Sequence, residues 1–116
     1  MLKIEVSPGD FLDRLTILEI KQERITDPSK LANVAKEIKA MRKAGSVSGV
    51  NLLRDHLRTV NARIWDLENA IRKPQSDASF IGISQEIREA NEQRASLKRQ
   101  INAALSSPFM EEKDYQ

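Results

Sequence analysis

The sequence predicts an all-α fold built around one long antiparallel helical hairpin, on three observations. Leu53, Leu57, Val60, Ile64, Leu67 and Ile71 recur at alternating spacings of four and three, a coiled-coil-like seam that a helix presents along one side. The same register returns at Ile83, Ile87, Ala90, Arg94, Leu97, Ile101 and Ala104. Only five of the 116 residues are aromatic, and Val and Ile form no long alternating runs, which argues against sheet.

The elements follow in order. Leu2, Ile4 and Val6 alternate with Lys3 and Glu5, so residues 1–7 read as an extended segment. Ser7-Pro8-Gly9-Asp10 then supplies a serine N-cap, a first-turn proline and an acid three residues after the cap. A first helix is expected over about 8–25. Asp27-Pro28 opens a second over about 28–43, with Leu31, Val34, Ile38 and Met41 as its apolar stripe. Gly45-Ser46-Val47-Ser48-Gly49 is a loop. The two long helices are expected over about 50–73 and 78–105, with Lys73-Pro74-Gln75-Ser76-Asp77 between them and Ser107-Pro108 at the end. Each would extend roughly 35–40 Å, and the short turn makes them antiparallel. The two shorter helices flank this hairpin, and residues 106–116 form a tail. One domain, 1–116, is expected at this length. A core this thin suggests completion by dimerisation.

Composition narrows the function. With 40% apolar and 31% charged residues the chain is a globular type, not a disordered one. The absence of cysteine excludes disulfides, a thiolate nucleophile and a zinc–thiolate site. The opening residues carry charge too early for a signal peptide's apolar core, and no stretch approaches a membrane span, so a cytoplasmic location is expected and no membrane partner. A net charge of +2 is far from a dense basic coat. No cofactor or metal is called for. Glu86 and Glu89 with Glu111 and Asp114 match the paired acidic motifs of all-α nucleotide pyrophosphohydrolases only formally, because the second pair lies beyond Pro108. The lone His56 stands at the rim of a helical stripe without a supporting motif.

Several polar residues stand out against the helical pattern. Arg94 occupies a seam position between Ala90 and Leu97, where a buried charge must find a partner. Glu19 lies at the edge of the apolar arc of the first helix. Asn61, Trp65, Glu68 and Arg72 make a polar-aromatic strip beside the seam, and Asn91, Lys98 and Asn102 flank Arg94. Two readings compete for Glu19, Asn61, Glu68, Asn91, Arg94 and Lys98: a pocket, or an ion-pair and amide network that fixes helix register. Polar residues in helical seams more often do the second. A basic face is the third feature, with Lys36, Lys39 and Lys43 on the second helix and Arg54 and Arg58 one turn apart on the third. No interleaved aromatics accompany it, which weighs against nucleic acid.

The run Leu15-Thr16-Ile17-Leu18-Glu19-Ile20-Lys21, with Glu23-Arg24-Ile25, resembles a family of small bacterial and phage-associated helical proteins of unknown function. The likeness continues through Asn61, Trp65, Glu68 and Ile71-Arg72, then Asn91, Arg94-Ala95, Leu97-Lys98 and Ile101-Asn102, and closes with Glu111-Glu112-Lys113 and Tyr115. It covers nearly the whole chain and implies a shared helical fold without an activity. It also marks Glu112, Lys113 and Tyr115, from which the tail is expected to fold back onto the bundle. The functional expectation is a helical interaction or structural module, self-associating as a dimer and open to another protein. The alternative is a binder or enzyme using the Glu/Arg/Lys/Asn cluster on an anionic ligand; weak nucleic-acid binding comes third.

Overall fold

A computed structural model describes residues 1–107 and Phe109. Four helices follow one another: α1 (Pro8–Arg24), α2 (Pro28–Ala44), α3 (Asn51–Ile71) and α4 (Asp77–Ala104). No strand occurs among the described residues, and residues 1–6 are exposed and irregular. No described helix is long and apolar enough to cross a membrane.

The boundaries have local causes. Ser7 accepts a hydrogen bond from the Asp10 amide at 3.1 Å, and Pro8 occupies the first turn, where its missing N–H is no loss. Asp27 caps α2 by accepting from the Ser29 amide at 2.9 Å. Ser76 caps α4 through the Ser79 amide at 3.2 Å. The connection before α3 turns at Gly49, whose φ of 85° suits a residue without Cβ. α3 ends at Ile71, the last residue of its seam and two residues short of the expected 73, and Gln75 caps it. The Gln75 amide group donates among the carbonyls of Ala70, Ile71 and Lys73, at 3.0–3.1 Å. Its Oε1 accepts from Ser79 at 2.7 Å, so one side chain joins the end of α3 to the start of α4.

The hairpin of α3 and α4 forms as the seam predicts, and α1 packs against both of its helices as well as against α2. Among the described helices, α2 in contrast packs on α1 alone. Two apolar clusters record this arrangement. Leu12, Val50, Leu57, Val60, Leu97 and Ile101 fill the space between α1 and the hairpin. Leu15 and Leu18 face Val34 and Ile38 of α2, and Phe11 bridges the two clusters. Leu57 and Ile101 are fully enclosed. Removing either down to alanine is expected to cost about 2–5 kcal/mol.

The α1 N-terminus comes close enough to α4 that only glycine fits. A Cβ on Gly9 would lie 2.5 Å from the Lys98 carbonyl oxygen and 2.9 Å from Asn102 Oδ1. The Gly9 amide uses the contact, donating to Asn102 Oδ1 at 2.7 Å in a buried bond. Gly9→Ala is therefore expected to lower stability by about 1–3 kcal/mol through forced separation of α1 and α4. Chemical denaturation checks this; an unchanged midpoint would show that the backbones part without loss.

Candidate functional site

Asp13 holds the centre of the bundle. It lies on α1 among Gly9, Leu12, Thr16 and Ile20, all buried, and its own side chain is 8% exposed. Burial of a carboxylate is tolerated only with full pairing. The pairing comes from α4: Arg94 donates from Nε to Asp13 Oδ1 at 2.8 Å and from Nη2 to Oδ2 at 2.6 Å. This two-pronged geometry is the strongest form of the contact. From α3, Asn61 Nδ2 donates to Asp13 Oδ1 at 3.0 Å and to Thr16 Oγ1 at 3.1 Å. Thr16 closes the loop by donating to the Asp13 carbonyl at 2.9 Å. Three helices thus meet on one carboxylate.

A groove of about 230 Å³ adjoins this network. Ile17 of α1, Asn61, Trp65 and Glu68 of α3, Arg72 at the α3 C-cap, and Arg94 of α4 line it. The strip on α3 that stood beside the seam is thus one wall of the groove, since residues 61, 65, 68 and 72 share a helix face. Of the six residues grouped from sequence, the structure brings Asn61, Glu68 and Arg94 to the groove. Glu19 is engaged elsewhere, both of its carboxylate oxygens accepting from Arg54 Nη2 at 3.0 Å. Asn91 turns back on its own helix, donating to the Ile87 carbonyl at 3.1 Å. Lys98 reaches Asp10 at 3.0 Å.

The basic residues separate in the same way. Arg54 faces Glu19 and Arg58 pairs with Glu23, so α1 compensates both arginines. Lys36, Lys39 and Lys43 remain exposed on α2. Arg24 pairs with Asp66, a further link between α1 and α3. Among the described residues no group of three His, Cys, Asp or Glu side chains is placed to hold a metal. The candidate tail residues Glu112, Lys113 and Tyr115 lie outside the described residues, as do Glu111 and Asp114.

Sequence reasoning missed Asp13 and Thr16. The signal was present: Gly9, Leu12, Asp13, Thr16 and Ile20 follow the three-and-four spacing of a buried helix face. A carboxylate inside that spacing is the natural counterpart of an arginine inside the α4 seam.

The chain belongs to DUF6165, a family of unknown function whose family model matches residues 2–116. No curated protein and no solved structure matches it.

The network yields a test of its own. Arg94→Leu or Asp13→Leu alone leaves an unpaired buried charge or its stranded neighbours, and each is expected to cost about 3–5 kcal/mol. The double variant Asp13→Leu with Arg94→Leu is expected to recover much of that loss, read as a coupling energy in a double-mutant cycle. Additive losses would mean that the pair does not act as a unit.

Proposed function

We propose that the protein is a helical interaction module that self-associates through the uncovered half of its hairpin. The burial profile carries this reading. From residue 62 to residue 89 nothing is buried, although the apolar seam runs through the whole stretch. Ile64, Leu67, Ile71, Ile83 and Ile87 are only half-buried between α3 and α4. Phe80 and Ile81, near the start of α4, are 50% and 56% exposed. Among the described residues no hydrogen bond or ion pair ties α1 or α2 to residues 67–91. An apolar stripe of this length in water marks a surface with a partner.

Charge chooses the partner. Cations and anions are interspersed along the same stretch: Arg63, Glu68, Arg72, Glu86, Arg88 and Glu89. Such a surface sets up no field of one sign to attract phosphates or an anionic membrane. It can complement a second copy of itself about a two-fold axis, which also supplies each seam with an apolar neighbour that the described residues do not provide. The buried network supports binding over chemistry, because Arg94 and Lys98 are held by Asp13 and Asp10.

Light scattering coupled to size-exclusion chromatography tests the reading. Twice the chain mass is expected for the parent protein. The monomer mass is expected for Phe80→Lys combined with Ile81→Lys, with helicity by circular dichroism unchanged. A parent protein that stays monomeric across the accessible concentration range would sink the proposal.

A further inference from the structure

We infer that the groove beside the Asp13 network is a binding site for a small amino carboxylate, a molecule with an ammonium at one end, a short apolar stem and a carboxylate at the other. The inference does not require self-association, although Ile64, Glu68 and Arg72 also belong to the stretch proposed for it. It starts from Asn61, which is 5% exposed and lines the groove. Asp13 offers only acceptors, so the atom that Asn61 turns toward it must be nitrogen. Both donors of that amide are spent on Asp13 and Thr16. Asn61 Oδ1 accepts nothing from the described residues, and a buried acceptor without a donor is uncommon in folded proteins.

The α3 face continues the pattern outward. Trp65, Glu68 and Arg72 succeed Asn61 at four, seven and eleven residues, which keeps all of them on the same side of the helix. Glu68 and Arg72 form no ion pair with each other or with any other described residue. The groove therefore offers, in order, a buried acceptor, an aromatic ring, a carboxylate and a guanidinium. An ammonium suits the position between Asn61 Oδ1 and Glu68, across the face of Trp65, where hydrogen bonding and cation–π attraction act together. Ile17 and Ile64 face a stem. Arg72 lies roughly 10 Å along the helix from the level of Trp65 and suits a carboxylate. A bare amine leaves Arg72 without a partner, and a bare carboxylate meets Glu68 and leaves Asn61 unsatisfied. The volume of about 230 Å³ limits the ligand to metabolite size. Arg94 is not the anion-binding group, because its guanidinium is held by Asp13.

Trp65 is the only tryptophan of the chain and reports on the groove directly. The full chain is titrated with ε-aminocaproate, with caproate and hexylamine as controls, following tryptophan emission. A saturable change with a dissociation constant on the order of 1 mM is expected for ε-aminocaproate, and none for caproate. Glu68→Gln is expected to weaken binding about tenfold by removing a charged partner. Arg72→Gln is expected to make ε-aminocaproate no better than hexylamine. Both variants should retain helicity, since neither removes an ion pair. The proposal is overturned by no saturable change, by caproate acting as well as ε-aminocaproate, or by Glu68→Gln having no effect. It is equally overturned if Lys113→Gln alters Trp65 emission without added ligand, which would assign the groove to an ammonium of the chain itself.

Discussion

Everything in the bundle is arranged around one buried carboxylate. Asp13 sits where a helix would ordinarily place an aliphatic side chain, and its ionised oxygens must be matched by donors from two other helices. That requirement fixes more than an ion pair. The fork of Arg94 sets the rotation of α4 about its axis, and Asn61 sets that of α3. Thr16, one turn along α1, ties the Asn61 amide to the same point. Apolar contacts alone would let the helices slide by a turn with little loss, since Leu, Val and Ile are interchangeable partners in a seam. A carboxylate with three directed donors allows one register only.

The close approach at Gly9 acts with this constraint. Gly9 and Asp13 are one turn apart on the same face of α1. The missing Cβ at Gly9 lets α1 lie against the Lys98 carbonyl, and Asn102 receives the freed amide at the end of the same helix face. Two polar contacts one turn apart therefore clamp α1 onto α4 at Asn102 and Arg94. Between and beside them the apolar cluster of Leu12, Leu57, Leu97 and Ile101 fills the volume. The polar contacts specify where the helices meet, and the apolar ones supply most of the free energy that holds them there.

The fold was legible in the sequence because its signals are local and redundant. Seam spacing in two long helices, the Ser7 N-cap and the first-turn prolines Pro8 and Pro28 mark these boundaries. The expected boundary at 73 overran α3 by two residues, although the seam itself stops at Ile71, where Gln75 folds back onto the last carbonyls. Half of the candidate site could be read in the same way. Asn61, Glu68 and Arg94 betray themselves as polar residues at or beside a seam. Their grouping with Glu19 and Lys98 could not be checked along the chain, because each of those residues has an opposite charge nearer to it in space, Arg54 and Asp10. Pairing across helices is set by crossing angle and rotation, and a one-dimensional pattern carries neither.

The attachment of α2 has a consequence for how the molecule opens. Because α2 rests on α1 alone among the described helices, through Leu15, Leu18, Val34 and Ile38, its release breaks that interface and leaves the Asp13 clamp intact. Amides of α2 should therefore exchange with solvent through a sub-global opening of lower free energy than that of α1, α3 or α4. The chain behaves energetically as a three-helix unit carrying a detachable fourth helix. Whenever that helix lifts, an apolar face of α1 that is covered in the closed state becomes available to other molecules.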